Sequence, residues 1–248
     1  MSGAFHVGGD AYDDFMGRYS RRLAPLFADF AGVGSGARVL DVGAGTGALT
    51  GELVSRGASV AAADPSPEFV AVLGERFPDI DVHEAPAESL PFGGGEFDVA
   101  LAQLVVAFMT DAPAAVAEMA RVARRVAAAM WGVEEVDMFA AIDRTAATIG
   151  ASRAAEPRRY RTPQELHDLL APHGEVESAE LDVTAGYRDF DEFWQAMDRR
   201  VGPAGQWIAS LDSGQRERAR EELLRQLGRP DGPFELKARA FAAAVTPA

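Results

Sequence analysis

The sequence predicts an α/β fold, a mostly parallel seven-stranded sheet with an antiparallel edge strand and helices on both faces. Three observations predict it: short apolar runs alternate with helically spaced stretches from Arg38 to Trp131, a glycine-rich segment joins the first run to the first helix, and two later apolar runs remain to extend the sheet. A chain of 248 residues with 48% hydrophobic composition is long enough to bury one sizeable core. A single domain over 1–248 is therefore expected. It comprises an N-terminal helix over 10–31, a core over 36–131 and a C-terminal half over 132–248 with a helical insertion around 189–228.

Taken in order, Tyr12 to Phe30 places Phe15, Tyr19, Leu23, Leu26, Phe27 and Phe30 at helical intervals, the pattern of an amphipathic helix lying on a core. The Gly32 to Gly36 stretch reads as a linker. Apolar runs bounded by turn residues give strands at Arg38 to Val42, Ser59 to Ala63, Asp81 to Glu84, Phe97 to Val106 and Val126 to Trp131. Helical spacing falls between them at Ala48 to Arg56, Pro67 to Phe77 and Pro113 to Val122. The prolines suit a first helical turn, where no amide bond is lost, and Gly57 suits a helix stop. Beyond Trp131, helices are expected at Val136 to Ile149, Pro163 to Leu170, Phe190 to Arg200 and Gln215 to Leu227, and strands at Glu177 to Thr184 and Ala238 to Val245.

Charge and composition exclude several classes of function. A formal charge of −14 repels phosphate backbones, so nucleic acid is not an expected partner. The basic clusters, Arg18, Arg21, Arg22 and Arg153, Arg158, Arg159, Arg161, are short and read as solvated helix faces and ends. The absence of cysteine removes disulfides, thiolate metal sites and cysteine nucleophiles together. No histidine and acid spacing suggests a metal site, and no serine sits in a GxSxG turn. Residues 1–15 have no basic segment followed by an apolar stretch. The longest apolar run, Val99 to Met109, is interrupted by Gln103 and falls short of the roughly 20 residues that span a bilayer. A cytoplasmic protein with no membrane span is expected; the sequence says nothing of its oligomeric state.

The chemistry centres on Val39-Leu40-Asp41-Val42-Gly43-Ala44-Gly45-Thr46-Gly47, an apolar strand with an acid near its end and three alternate glycines leading into a helix. Glycine permits positive φ and close approach of a ligand to the backbone, and a helix start presents unbonded N–H groups. The second strand runs into Asp64, whose carboxylate can accept both hydroxyls of a ribose at the carboxyl edge of the sheet, where ligands of open α/β sheets bind. A nicotinamide oxidoreductase is a competing reading, because Gly43, Gly45 and Ala48 satisfy the GxGxxG/A pattern that cradles a pyrophosphate. Against it, Asp41 would add negative charge beside that anion, and Gly47 falls one place before the third position of the pattern.

Asp41 to Gly47 resembles the DxGxGxG motif of class I S-adenosylmethionine-dependent methyltransferases, and within them the type 11, ubiquinone/menaquinone-biosynthesis-like group. The resemblance covers roughly residues 10 to 131 and implies a Rossmann-like fold, S-adenosyl-L-methionine as cofactor, and a small-molecule acceptor with an O, N or C nucleophile. It implies that Gly43, Ala44 and Gly45 line the methionine and ribose, that Asp41 orients the amino end, and that Asp64 holds the ribose hydroxyls with Pro65 and Ser66 beside the adenine. Ala85 to Phe92 is similar to the family's adenine-contacting loop, which places the Ala87 amide and Glu88 at the base; Phe97 to Gln103 matches the fourth strand, which places Gln103 near the methyl donor. Tyr12 to Ser20 resembles the helix that lids the pocket, with Tyr12 and Arg18 as contacts to the cofactor carboxylate and the 189–228 insertion on the substrate side.

The chain departs from the family pattern at two places. Pro86 stands where an acid often recognises the adenine amino group. The usual Pro-Gly-Gly turn before strand five is absent from Arg121-Val122-Ala123-Arg124-Arg125-Val126, so that either the helix ends early and the sheet shifts register, or strand five is poorly formed. Loss of turnover at that connection would leave a non-catalytic S-adenosylmethionine-binding module. Methyl transfer is a direct displacement that depends on positioning, worth about 7–11 kcal/mol, and a base is needed only when the nucleophile keeps its proton. Tyr12, Tyr19 and His6 are the candidates for such a group, whereas His83, His167 and His173 read as structural or surface residues, and Trp131, Trp194 and Trp207 as core rather than cavity lining.

Overall fold

A computed structural model describes residues 13–151, 159–199 and 202–247. Tyr12 and His6 therefore lie outside the described residues, as do Arg153 and Arg158 of the second basic cluster. The described chain forms two compact units, a core unit of residues 20–132, 159–182 and 239–247, and a second unit of residues 13–19, 133–151, 183–199 and 202–238.

In the core unit, helix α1 (Arg18–Phe30) buries Leu23, Ala24, Phe27 and Ala28 on one face. It stops at Gly32, whose φ of +77° allows Val33 N–H to bond Ala28 O and Gly32 N–H to bond Asp29 O, the paired bonds of a glycine-terminated helix. What reads in the sequence as a linker thus begins as a built helix stop. Arg56 fixes this end to the next helix, donating to Pro25 O, to Asp29 and to Glu52.

Strands β1 (Arg38–Val42), β2 (Ser59–Asp64), β3 (Asp81–Glu84), β4 (Phe97–Gln103) and β5 (Ala123–Val136) alternate with helices α2 (Ala48–Ser55), α3 (Pro67–Arg76) and α4 (Ala112–Val122). The seven-stranded sheet has the order β3-β2-β1-β4-β5-β7-β6 and is parallel from β3 to β5. The chain builds outward from β1 on one side, then returns to start β4 on the other. The carboxyl ends of β1 and β4 therefore flank the crevice at which such sheets bind ligands. Beyond them, α6 (Pro163–Leu170) starts in a Thr162–Glu165 capping box, and strands β6 (Val176–Tyr187) and β7 (Phe234–Val245) complete the sheet. Phe234 stacks on Tyr187, Arg239 bonds Asp182, and Gly174 lies against Val245 and Thr246, so β6 and β7 run in opposite directions and the antiparallel step falls at that edge.

The connection into strand five follows neither expected alternative. Helix α4 runs to Val122 and Ala123 is already extended, with φ −132° and ψ 152°, while its N–H still bonds Met119 O. The register with β4 is regular from Phe97↔Ala123 to Gln103↔Ala129. Side chains and a neighbouring loop do the work of a turn: Gly95 N–H takes Arg121 O, Arg121 holds Leu90 O and Phe92 O, and Arg125 pairs with Glu177.

The second unit contains α5 (Asp137–Ile149), α7 (Phe190–Asp198), α8 (Gly202–Ser210) and α9 (Ser213–Gln226). Its centre is aromatic, with Tyr187, Phe190, Phe193 and Phe234 in ring contact. Trp207 donates to Ala151 O at 3.2 Å, and Trp131, Trp194 and Trp207 are buried as core residues. Among the described residues no helix is long and apolar enough to cross a membrane.

Candidate functional site

The glycine-rich loop leaves β1 at Val42 and turns at three glycines with positive φ. At Gly43 (φ +69°) a Cβ would meet the Val105 side chain at 2.5 Å, and at Gly47 (φ +89°) it would meet the Phe77 ring at 2.5 Å. Both are packing constraints within the core unit. At Gly45 (φ +57°) a Cβ would meet no atom within 4 Å, so this glycine offers bare backbone to whatever approaches the loop. The loop amides, by contrast, are already engaged. Gly43 and Ala44 donate to Ala63 O, Gly47 donates to Ala44 O, and Gly45 donates to Asp64 Oδ2 at 2.9 Å.

Two buried carboxylates hold this loop from below. Asp64 takes Gly45 N–H on one oxygen and Ser66 N–H on the other, both at 2.9 Å. Burial pushes its carboxyl above the usual range, against the pull of those two amides. Each oxygen retains a lone pair, so bracing the loop leaves Asp64 able to accept hydroxyls. Ser66 itself caps α3, its side chain accepting Phe69 N–H, with Pro65 exposed beside it.

Asp41 is 1% exposed and accepts the Thr50 hydroxyl at 2.7 Å. Thr50 lies three residues into α2, whose cap residue Gly47 has no side chain to offer, and the Thr50 backbone N–H also bonds Asp41. The carboxylate of β1 thus caps helix α2 from outside it. Burial pushes the Asp41 carboxyl up to about 7; the Thr50 bonds oppose that and the charge of Asp64 adds to it.

Across the crevice, Gln103 ends β4, donating from Nε2 to Ser20 O at 3.2 Å, while its Oε1 is buried with no hydrogen-bond partner among the described residues. The next residue, Leu104, has φ +64°, a left-handed conformation that costs a leucine about 1–2 kcal/mol. That turn brings Val105 onto Gly43. Ala87 is buried in a tight turn closed by Ser89 N–H on Pro86 O, and Glu88 directs its carboxylate to Asp111 N–H, at the cap of α4.

In the second unit, Arg18 is bound on three sides: to Gly186 O at 2.8 Å, to Glu192 at 3.0 Å, and over the Tyr187 ring at 4.4 Å. Tyr19 and Tyr187 share a hydroxyl hydrogen bond of 3.2 Å. Burial raises both phenols, Tyr187 to about 12, so at neutral pH Tyr19 is a protonated hydroxyl rather than a base. His83 packs edge-on against Phe92 and His167 sits beside Asp168 on an exposed face. Among the described residues no group of three histidines or acids is placed to hold a metal ion.

The core unit therefore gathers Asp41, Gly43, Ala44, Gly45, Asp64, Pro65, Ser66, Ala87, Glu88 and Gln103 on the loops and strand ends of one sheet edge. Thr50, Leu104, Val105 and Phe77 shape that edge and were not among the residues that the sequence singled out. With its amides engaged and two acids beneath it, the loop is unsuited to a pyrophosphate and suited to hydroxyls and positive charge.

This topology and loop define a Rossmann-like methyltransferase fold. Residues 40–129 match the family model for a methyltransferase domain. The chain is 37% identical over 106 residues to an uncharacterized protein of Mycobacterium bovis, a match spanning 41% of this chain and 39% of that relative. It is 35% identical over 117 residues to an uncharacterized methyltransferase of the same organism, covering 46% and 48% of the two chains. The chain thus matches less than half the length of these relatives. Among solved structures it resembles a putative type II methyltransferase from Anaeromyxobacter dehalogenans, with TM-score 0.68 and 22% identity over 90% of this chain and 95% of that one.

Proposed function

We propose that the protein transfers a methyl group from S-adenosylmethionine to a small-molecule O, N or C nucleophile in the cytoplasm. The observation that carries the reading is the pair of buried carboxylates, Asp41 and Asp64, under a glycine loop whose amides are internally bonded. A loop of this kind favours a cationic, hydroxyl-bearing ligand and disfavours the anion of a nicotinamide dinucleotide. The unpartnered Gln103 Oε1 adds an acceptor on the facing strand. When bound, the cofactor would supply an electrophilic methyl group on a positively charged sulfur.

In this reading Gly43, Ala44 and Gly45 give the backbone surface for the ligand, Asp64 accepts the ribose hydroxyls, and Asp41 supplies negative charge near the amino end. Ala87 and Glu88, with Pro65 and Ser66, border the base, with the Glu88 carboxylate acting through its hold on Asp111. Tyr12 and Arg18 are the proposed contacts to the cofactor carboxylate, and Tyr12, Tyr19 and His6 the candidate groups for the acceptor. The regular β4–β5 register supports the enzymatic reading over that of a non-catalytic module. The test is release of S-adenosylhomocysteine across a panel of phenols, amines and quinone precursors. Acceptor-dependent release is expected; a blank across the panel from protein that binds the cofactor contradicts the enzymatic reading.

A further inference from the structure

Strand β4 ends at Gln103, whose amide is held at one end only. Nε2 donates to Ser20 O of α1, while Oε1 is buried with no hydrogen-bond partner among the described residues. A carbonyl can only accept, so the bond to Ser20 fixes which end of the amide faces α1 and leaves oxygen as the open end. Leu104 follows in a left-handed turn, its N–H bonded to Ala129 O at 2.7 Å and Val105 packed on Gly43. A buried acceptor without a donor and a leucine at positive φ are each costly, and such costs collect where chains bind ligands.

Register fixes the place of this pair. Asp41 of β1 aligns with Leu101 of β4, and Gln103, two residues on, lies on the same face at the carboxyl edge of the sheet. The order β2-β1-β4 puts Asp64 and Gln103 on opposite flanks of the glycine loop. A ligand anchored by its ribose at Asp64 and laid across Gly45 therefore brings its far end toward Gln103. Oε1 accepts at that flank, and the loop amides that could donate are spent on Ala63, Ala44 and Asp64. A hydroxyl there would leave its lone pairs without a donor; a protonated amine has none, and an attacking amine spends its single pair on the methyl carbon.

We propose that Gln103 is a ligand-binding residue whose Oε1, locked by Ser20 and by the turn at Leu104, accepts a hydrogen bond from an amine. The inference rests on the proposed use of S-adenosylmethionine. The amine then has two sources, the amino group at the methionine end of the cofactor or an amine that takes the methyl group. In the second case the nitrogen lone pair forms the new N–C bond as the S–C bond breaks, and the amine's proton leaves to water.

The experiment measures dissociation constants of S-adenosylhomocysteine and of its desamino analogue, in which hydrogen replaces the amino group, for the wild type and Gln103→Met. It also follows S-adenosylhomocysteine release with matched amines and phenols in both proteins. Methionine keeps the length of the side chain and removes the acceptor. If the source is the cofactor, Gln103→Met weakens S-adenosylhomocysteine by about tenfold or more and its desamino analogue by less than about threefold. If the source is the acceptor, both compounds bind as before, and amines lose about tenfold in kcat/KM while phenols keep theirs. An equal shift for both compounds, or none, without an amine-selective loss of turnover, overturns the proposal, since a merely structural glutamine acts alike on all ligands. If circular dichroism shows Gln103→Met unfolded, Gln103→Asn, which keeps the amide and withdraws it by one methylene, is read by the same criteria. Binding of neither compound to the wild type would instead remove the functional reading, and this inference with it.

Discussion

At the scale of single residues, Asp64 braces the loop through the Gly45 amide and Asp41 caps α2 through Thr50, while burial opposes the charge of each and raises its carboxyl above the usual range. The opposition is measurable in stability. Because the Asp41 carboxyl is pushed up to about 7, the native state keeps its proton from about pH 4 to 7 while the unfolded chain releases it. Its contribution is therefore full below the unfolded value and lost as pH rises through the folded one. Asp41→Asn should gain stability relative to the wild type over that interval, by up to roughly 4 kcal/mol, and the gain should level off above it. Denaturant melts at several pH values check this, and a difference independent of pH contradicts it. Asp64→Ala should weaken S-adenosylmethionine binding by about 1.5–3 kcal/mol, read by calorimetry on folded protein; unchanged affinity would take Asp64 out of the site. Both acids were legible in the sequence because each stands at the end of an apolar run beside turn residues. Thr50 and Val105 were not, because a buried hydroxyl pointing at β1 and a valine packed on Gly43 exist only once distant segments meet.

At the scale of elements, the loop separates into glycines that serve packing and one, Gly45, whose backbone is open to approach. Gly47→Ala would drive a Cβ into Phe77 and Leu73 at positive φ, and should destabilise the fold by about 2 kcal/mol or more. Gly45→Ala meets only the cost of positive φ, about 1 kcal/mol, yet should lose most of its cofactor affinity because the added methyl stands on the approach surface. Thermal melts and calorimetry on the two variants distinguish these effects; the reverse pattern would contradict the assignment. Strands β1 and β3 and helix α6 were legible to the residue, since turn residues or a capping box bound them. Strand β4 was overread to Val106 because the apolar run continues past Gln103, where the left-handed Leu104 breaks it. Helix α8 was missed, as Gly202-Pro203-Ala204-Gly205 carries turn residues into its first turn. Strand β5 was underread at both ends because Ala123, Arg124 and Arg125 look like the end of a helix and are held extended by pairing with β4.

For the whole molecule, a net charge of −14 gives a long-range field that repels phosphate backbones. A long-range negative field opposes nucleic acid and favours cations, in agreement with a site floored by two carboxylates. Fluorescence anisotropy with duplex and single-stranded oligonucleotides at physiological salt should show no saturable binding in the micromolar range; salt-sensitive micromolar binding would contradict this reading. The sheet order and the loop together point to a cationic adenosyl ligand, and calorimetric titration of the purified chain with S-adenosylmethionine, S-adenosylhomocysteine and the nicotinamide dinucleotides tests that claim most directly. Saturable binding of both sulfur compounds, abolished by Gly45→Ala, with no heat from the dinucleotides, is predicted; binding of a dinucleotide and of neither sulfur compound would contradict it.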